Sequence, residues 1–245
     1  MTHSPELVVL EVESATAWIH LNRAPSANAL SHAFVLALLE AFRRAQAMPG
    51  VRTIGFCSAL ADFSTGMDLS GLASETDESL RARFEAIEDL LAAVWSSPCR
   101  TIARVQGRAW GAAADLVVAC DHRQITPDAS FRFPGAQFGL VLGTRRLAQR
   151  VGRDHARDLV LTGRTVNAEQ AMAMGLATAM ATPWPSLDAV LISDETQRMV
   201  QAVTKDSFGT DAEGLERDRS ALRLSMTGDL HARLIAYRES VLRRM

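Results

Sequence analysis

Residues 63–69 read Phe-Ser-Thr-Gly-Met-Asp-Leu, and residues 107–115 read Gly-Arg-Ala-Trp-Gly-Ala-Ala-Ala-Asp. Each stretch follows an apolar run typical of a strand and leads toward a helical pattern. Turns of this kind expose backbone N–H groups that have no partner inside a helix, and the helix dipole adds positive potential there. Two such groups aimed at one point form an oxyanion hole, which stabilises negative charge on a carbonyl oxygen. The alternative is that each stretch is simply a tight strand-to-helix turn that packs against its neighbours.

Strand and helix patterns alternate around these two stretches. The Ser31 side chain can cap the first helix, and apolar residues recur within it at helical spacing. The patterns predict strands at residues 7–13, 17–21, 53–57, 101–105, 123–125 and 130–133, and helices at 31–48, 79–95, 111–119, 168–174 and 186–203, before a charged region at 211–245.

Composition excludes several classes of protein. The chain has 245 residues, 48% hydrophobic and 22% charged, which suits one large domain with a sizeable core. A net charge of −2 gives no reason to expect a nucleic acid or a membrane as partner. There is no long apolar run and no signal-peptide pattern, so a cytoplasmic protein is expected. Cys57, Cys99 and Cys120 are widely spaced, which favours buried thiols over a disulfide, and no spacing of residues indicates a metal site.

Six segments occur in an order and spacing that resemble one enzyme family. They are residues 17–30, 63–69, 103–121, 129–134, 161–164 and 168–176. From about residue 8 to residue 181 the chain resembles the enoyl-CoA hydratase/isomerase (crotonase) superfamily. The resemblance implies an α/β fold, a crotonase-like spiral of ββα units over residues 1–185, followed by a C-terminal helical part at 186–245. That part would assemble the chain into a homotrimer or homohexamer.

The resemblance also implies a ligand, an acyl-CoA thioester. The N–H groups of Met67 and Ala112 fall on the two oxyanion donors of the family, which would hold the thioester oxygen and stabilise an enolate. Coenzyme A would enter as part of the substrate, with no permanently bound cofactor. Family contacts to coenzyme A map to Ser26, Ala27, Met67, Asp68, Leu69 and Ser70. Pro25 stands where the family often has a lysine near the nucleotide phosphates.

The sequence departs from the family at the acid/base positions. Hydratases of the family use two glutamates to add water across a double bond. Asp115 occupies the first of these positions and Gly135 the second, and the glycine-rich loop that follows is shortened to residues 139–144. Glycine cannot titrate or position water through a side chain. An efficient hydratase is therefore not expected.

Several roles stay open. Asp115 is either an acid/base group whose pKa is raised by apolar neighbours or a helix-turn residue that caps or pairs. Arg108 and Arg132 either bind a carboxylate on the acyl group or are surface charges, and Trp110 either lines the acyl pocket or packs in the core. Tyr237, the only tyrosine, lies in the C-terminal part and matches no site position of the family.

Two functions fit these residues. The first is an enzyme in which Asp115 moves one proton of an enolate-forming reaction, such as isomerisation, decarboxylation or retro-Claisen cleavage. The second is a catalytically inactive protein that carries or senses acyl-CoA. The identity of the acyl group does not follow from the sequence.

Overall fold

Strands and helices alternate along the computed structural model, which describes residues 6–185, 187, 192–205 and 212–243. The strands within these residues are β1 Val8–Glu13, β2 Thr16–Leu21, β3 Thr53–Ser58, β4 Arg100–Val105, β5 Arg108–Trp110, β6 His122–Ile125, β7 Ser130–Arg132, β8 Val166–Asn167 and β9 Ala179–Met180. The helices are α1 His32–Ala47, α2 Asp77–Trp95, α3 Ala112–Ala119, α4 Thr144–Val151, α5 Arg153–Thr162, α6 Ala168–Ala173, α7 Asp194–Lys205, α8 Ala212–Ser225 and α9 Leu230–Leu242.

A six-stranded sheet in the order β1-β2-β3-β4-β6-β9 forms the centre of the fold. β1 and β2 are an antiparallel hairpin, and every later strand of this sheet runs parallel to its neighbour. A second sheet has the order β5-β7-β8, with β5 parallel and β8 antiparallel to β7. The mixed α/β architecture with a central parallel sheet confirms the predicted fold class.

The core lies between the central sheet and the helices that connect its strands. On β2, the residues Ala17, Ile19 and Leu21 alternate toward this core and are at most 2% exposed. α1 buries a matching apolar face that includes Phe34 and Phe42, as expected for an amphipathic helix on a sheet.

Most predicted elements are confirmed, with boundaries set by capping side chains. Ser31 accepts a hydrogen bond from Phe34 N and begins α1, as predicted. α2 begins two residues earlier than predicted, because Thr76 and Ser79 cap it reciprocally. The predicted helix at 186–203 is found from residue 194 onward, whereas residues 187, 192 and 193 are not helical. α7 begins at Asp194, where the Ser193 side chain accepts a hydrogen bond from Thr196 N, and residues 186 and 188–191 lie outside the described part of the chain.

The last two helices return to the core. α8 packs against α2, and α9 packs against α2 and against the short 3-10 helices Leu72–Ser74 and Gly135–Phe138. α9 therefore lies beside the turn that contains Gly135. None of the helices described is long and apolar enough to span a membrane.

Candidate active site

The two stretches of small residues meet in space. Ser64 forms an isolated parallel bridge with Ala109. Ser64 N donates to Arg108 O at 2.9 Å, and Trp110 N donates to Ser64 O at 3.2 Å. The turn after Ser64 and the turn after Trp110 are thus held side by side by backbone hydrogen bonds.

Glycine at two positions allows this close approach. Gly66 has φ +86°, and a Cβ atom added to it would lie 2.3 Å from the carbonyl oxygen of Trp110. Gly111 has φ +55° and ψ −129°, a conformation that a residue with a side chain rarely adopts. Both glycines directly precede a predicted oxyanion donor.

The N–H groups of those donors have no partner within the described residues. Ala112 is the first residue of α3, where an N–H group has no acceptor inside its own helix. The residues on either side of Met67, in contrast, form backbone hydrogen bonds: Leu30 N donates to Gly66 O, and Asp68 N donates to Leu30 O. Neither Met67 N nor Ala112 N donates to an acceptor in the described part of the chain.

Met67 and Ala112 line one cavity together with Asp115. The cavity encloses about 760 Å³ of empty space, counting its open mouth. Most of its wall is apolar, and Trp110 belongs to that wall. Its lining residues are Thr65, Met67, Leu69, Trp110, Gly111, Ala112, Asp115, Arg132, Phe133, Pro134, Gly135, Ala136, Phe138, Leu140, Leu142, Thr144, Val160 and Tyr237.

The carboxyl of Asp115 is buried in the wall of this cavity. Its side chain neither caps α3 nor pairs with another side chain, since no hydrogen bond to its carboxylate occurs among the described residues. Burial raises the pKa of this carboxyl well above its usual range. The charge of Arg146 acts in the opposite direction, and that of Glu88 raises the pKa further.

A third glycine, Gly143, makes room for the Asp115 carboxylate. It has φ +66°, and a Cβ atom there would lie 2.3 Å from Asp115 Oδ1. Any side chain at this position would therefore displace the carboxylate. The sequence gives no local signal for this contact, because the two residues belong to different elements and meet only through the tertiary fold.

Asp115 is the one Asp or Glu among the described residues that line the cavity. Gly135, which the resemblance predicts at the second glutamate position, lies in the same wall. A Cβ atom at Gly135 would come within 3.0 Å of Leu140 O. Among the described residues, the cavity wall thus contains a single carboxyl side chain.

The predicted coenzyme A contacts separate into two groups. Met67 and Leu69 line the cavity, whereas the others do not. Ala27 lies next to it, with its carbonyl accepting a hydrogen bond from Thr65 N at 3.2 Å, and Ser26 precedes it in a 3-10 turn.

The Asp68 carboxylate is occupied within the protein. It forms an ion pair with Arg23 at 2.8 Å and accepts from Ser70 N and Ser70 Oγ at 2.8 and 2.6 Å. Burial alone would raise the pKa of Asp68, but the hydrogen bonds from Ser70 and the Arg23 pair hold it below its usual range. A contact of coenzyme A with residues 68–70 stays a prediction.

Tyr237 is a lining residue that the sequence does not identify. It belongs to α9, and its ring centroid lies 4.9 Å from that of Phe138. The two residues are distant in sequence, so no local pattern relates Tyr237 to the cavity.

Comparison with known proteins agrees with the geometry. The family model for enoyl-CoA hydratase/isomerase matches residues 11–207. A Thermus thermophilus protein assigned as an enoyl-CoA hydratase is 31% identical over 205 residues, which cover 81% of this chain and 79% of that protein. A peroxisomal Delta(3,5)-Delta(2,4)-dienoyl-CoA isomerase of Arabidopsis thaliana is 28% identical over 188 residues, 71% of this chain and 68% of that one.

A solved structure extends the similarity to most of the chain. The crystal structure of a Bordetella parapertussis protein assigned as an enoyl-CoA hydratase/isomerase superposes with a TM-score of 0.88 at 32% identity, covering 94% of this chain and 98% of that one. The relatives include both hydratases and an isomerase, so the resemblance fixes the family and not the reaction. The chain belongs to the enoyl-CoA hydratase/isomerase family.

Proposed function

We propose that this protein binds an acyl-CoA thioester and stabilises its enolate between the N–H groups of Met67 and Ala112, while Asp115 moves a single proton at the α-carbon. The observation that carries the proposal is the pair of unpartnered N–H groups on adjoining turns, beside a buried carboxyl in the same cavity. Unpartnered backbone donors in a dry site act on developing negative charge without reorganising.

The electrostatics of Asp115 suit a group that both accepts and returns a proton. A carboxyl with an ordinary pKa is a weak base at neutral pH, and raising the pKa brings it toward the range where proton transfer is efficient. The apolar wall around Asp115 excludes water, which is the cause of the raised pKa. One carboxyl suffices for reactions that remove a proton from the α-carbon or deliver one to it.

The same cavity argues against rapid hydration. Adding water across a double bond requires one group to activate the water and another to handle the proton at the α-carbon. Gly135 supplies no such group, and no other Asp or Glu belongs to the described lining. We therefore expect isomerase-like or other single-proton chemistry in preference to hydratase activity.

Turnover of crotonyl-CoA and calorimetric binding of saturated acyl-CoA test the proposal together. The native protein is expected to bind saturated acyl-CoA and to hydrate crotonyl-CoA very slowly or not at all. Rapid native hydration would show that a second carboxylate reaches the cavity. Absence of binding by the folded protein would remove the acyl-CoA function altogether.

A matched variant tests the oxyanion donor. Ala112→Pro removes one N–H at the first position of α3, where proline is compatible with the helix, whereas Ala112→Gly keeps the N–H. Loss of one oxyanion donor is expected to reduce the rate by about 10²–10³-fold. Tight binding without activity on any thioester would instead favour a carrier of acyl-CoA.

A further inference from the structure

One arginine side chain belongs to the wall of the mostly apolar cavity. On β5 and β7 the residues alternate, so that Ala109 and Phe131 are fully buried while Trp110 and Arg132 face the cavity. Trp110 and Arg132 are direct partners in the parallel register. Gly111 N donates to Arg132 O at 2.8 Å, which fixes this strand next to the turn that carries Ala112.

The guanidinium of Arg132 uses one nitrogen in a hydrogen bond within the protein and keeps its two terminal nitrogens for a ligand. Arg132 Nε donates to Gly163 O at 2.7 Å. Its central carbon lies 6.0 Å from the centroid of the Trp110 ring. The two terminal nitrogens donate to no acceptor among the described residues, and no described carboxylate forms an ion pair with them.

A groove adjoins the mouth of the cavity and shares Trp110 and Arg132 with it. Two other arginines line this groove, and both are occupied. Arg108 forms a two-point ion pair with Asp62, at 3.0 and 2.6 Å. Arg233 uses all three of its nitrogens on backbone carbonyls, among them Phe138 O and Gly139 O. Within the described residues, Arg132 is therefore the arginine of this groove that keeps donors for a ligand.

We propose that Arg132 recognises a carboxylate at the far end of the acyl group, so that the preferred substrates are CoA thioesters of dicarboxylic acids. This inference rests on the proposed function and names the class of its acyl chain. The planar fork of a guanidinium matches the two oxygens of a carboxylate. A cation without a counter-ion in an apolar wall gains most from a ligand that supplies the missing negative charge.

The position of Arg132 favours the acyl chain over the phosphates of coenzyme A as the source of that charge. The predicted coenzyme A contacts outside the cavity, Ser26, Ala27, Asp68 and Ser70, belong to the segments before α1 and before α2. Arg132 belongs to a different segment, β7, and lines the cavity beside Trp110. An acyl group held at Met67 and Ala112 would have this wall within the same cavity.

The experiment compares two thioesters with the same number of acyl carbons, pentanoyl-CoA and glutaryl-CoA, by calorimetry. The native protein is expected to bind glutaryl-CoA more tightly by about tenfold to a hundredfold, the range of a charge-assisted hydrogen-bonding pair. Arg132→Gln is expected to abolish that preference while leaving the affinity for pentanoyl-CoA within about threefold.

Arg108→Gln is the matched control, because it removes the same formal charge from the same mouth. It is expected to preserve the preference for glutaryl-CoA, since Arg108 already pairs with Asp62. An equal effect of both variants would indicate a general field and contradict a direct contact at Arg132.

Three other results would overturn the inference, and they separate it from the proposed function. If native protein binds both thioesters equally, the dicarboxylate preference is wrong and the acyl-CoA function stands. If Arg132→Gln weakens free CoA, pentanoyl-CoA and glutaryl-CoA alike, Arg132 contacts a phosphate instead. If the folded protein binds neither thioester, the proposed function itself fails.

Discussion

The chemistry of the cavity depends on one side chain, Asp115, and on what surrounds it. Its carboxylate is buried, lies against Gly143, and has no hydrogen-bonding partner among the described residues. An ionised group in that setting destabilises the folded protein unless a ligand or a proton compensates it. The same burial that costs stability raises the pKa and makes the carboxyl useful in proton transfer.

Asp115→Asn is expected to change how stability depends on pH. The folded pKa of Asp115 is raised, so the unfolded chain releases this proton at a lower pH than the folded protein does. Native stability is therefore lost as pH rises from about 4 through the raised pKa, and Asn removes that loss. The melting temperature of the variant should gain on the native protein as the pH rises above about 4.

The exposed carboxyl of Asp154, 97% of which is accessible, provides the control. Asp154→Asn should leave the pH dependence of the melting temperature unchanged. If the melting temperatures of Asp115→Asn and the native protein differ by the same amount at every pH, the pKa of Asp115 is not raised in the folded protein.

Gly135→Glu is expected to add the missing second carboxylate and to raise the rate of crotonyl-CoA hydration. Acid/base groups typically contribute about 10²–10⁴-fold. The new Cβ atom would lie 3.0 Å from Leu140 O, so the turn must move by a few tenths of an ångström. Gly135→Gln has the same size without a titratable group, and an equal gain in both variants would contradict a role in proton transfer.

The proposed oxyanion donors depend on how two turns fit together, and Gly66 is the point of contact. Gly66→Ala is expected to displace the Met67 N–H, because its Cβ would meet Trp110 O at 2.3 Å. Gly50→Ala is the matched control, since Gly50 has a similar φ of +82° and no atom within 4 Å of its added Cβ. Both variants place a Cβ atom at positive φ, which is expected to cost each of them about 1–3 kcal/mol.

Only Gly66→Ala should lose activity and additional stability from the clash. Urea unfolding gives the free energy of unfolding of each variant, and a kinetic assay of thioester turnover gives the activity. Equal losses in Gly66→Ala and Gly50→Ala would show that the contact with Trp110 O is unimportant.

The elements that the sequence predicts well are those with a local cause. The β1–β2 hairpin and α1 follow from alternation, helical spacing and a serine cap. The start of α7 at Asp194 does not, because it coincides with a short polar cap at Ser193 that the apolar pattern does not indicate. Met67, Ala112 and Asp115 belong to local motifs, so their positions could be inferred from the sequence. Tyr237 lines the cavity and Gly143 contacts Asp115 through long-range packing alone, which no local motif indicates.

Helices that are far apart in the chain are joined by a buried ionic network. Arg146 of α4 is fully buried and binds both oxygens of Glu88 of α2, at 2.6 and 3.0 Å. Arg146 also lies 3.2 Å from Asp218 of α8, which pairs with Arg145. The network ties α8 to the helices behind the cavity.

Glu88→Gln is expected to destabilise the protein by about 3–5 kcal/mol, because Arg146 would stay buried with half of its negative partners removed. The Arg217–Glu213 pair of α8 is more than 70% exposed on both sides and serves as the control. Glu213→Gln should change the free energy of unfolding by less than about 1 kcal/mol. Denaturant unfolding of both variants measures the difference, and similar values would contradict the network's role.

Assembly into trimers, or into dimers of trimers, is the expectation for the whole molecule. Three apolar side chains of α7, Met199, Val200 and Val203, are about half exposed, and Leu224 of α8 and Leu242 of α9 are 74% and 60% exposed. Apolar side chains at such positions favour an interface. Light scattering at micromolar concentration measures the mass, and a monomer would contradict this expectation.

Exchange of the α-protons of butanoyl-CoA in D₂O, followed by NMR, tests the formation of an enolate most directly, since it requires the oxyanion donors and one base but no second carboxylate. The native protein is expected to exchange these protons far faster than the buffer does, Asp115→Asn to abolish the exchange, and Ala112→Pro to slow it by about 10²–10³-fold. Exchange at the buffer rate by native protein that binds butanoyl-CoA, or undiminished exchange by Asp115→Asn, would contradict the account.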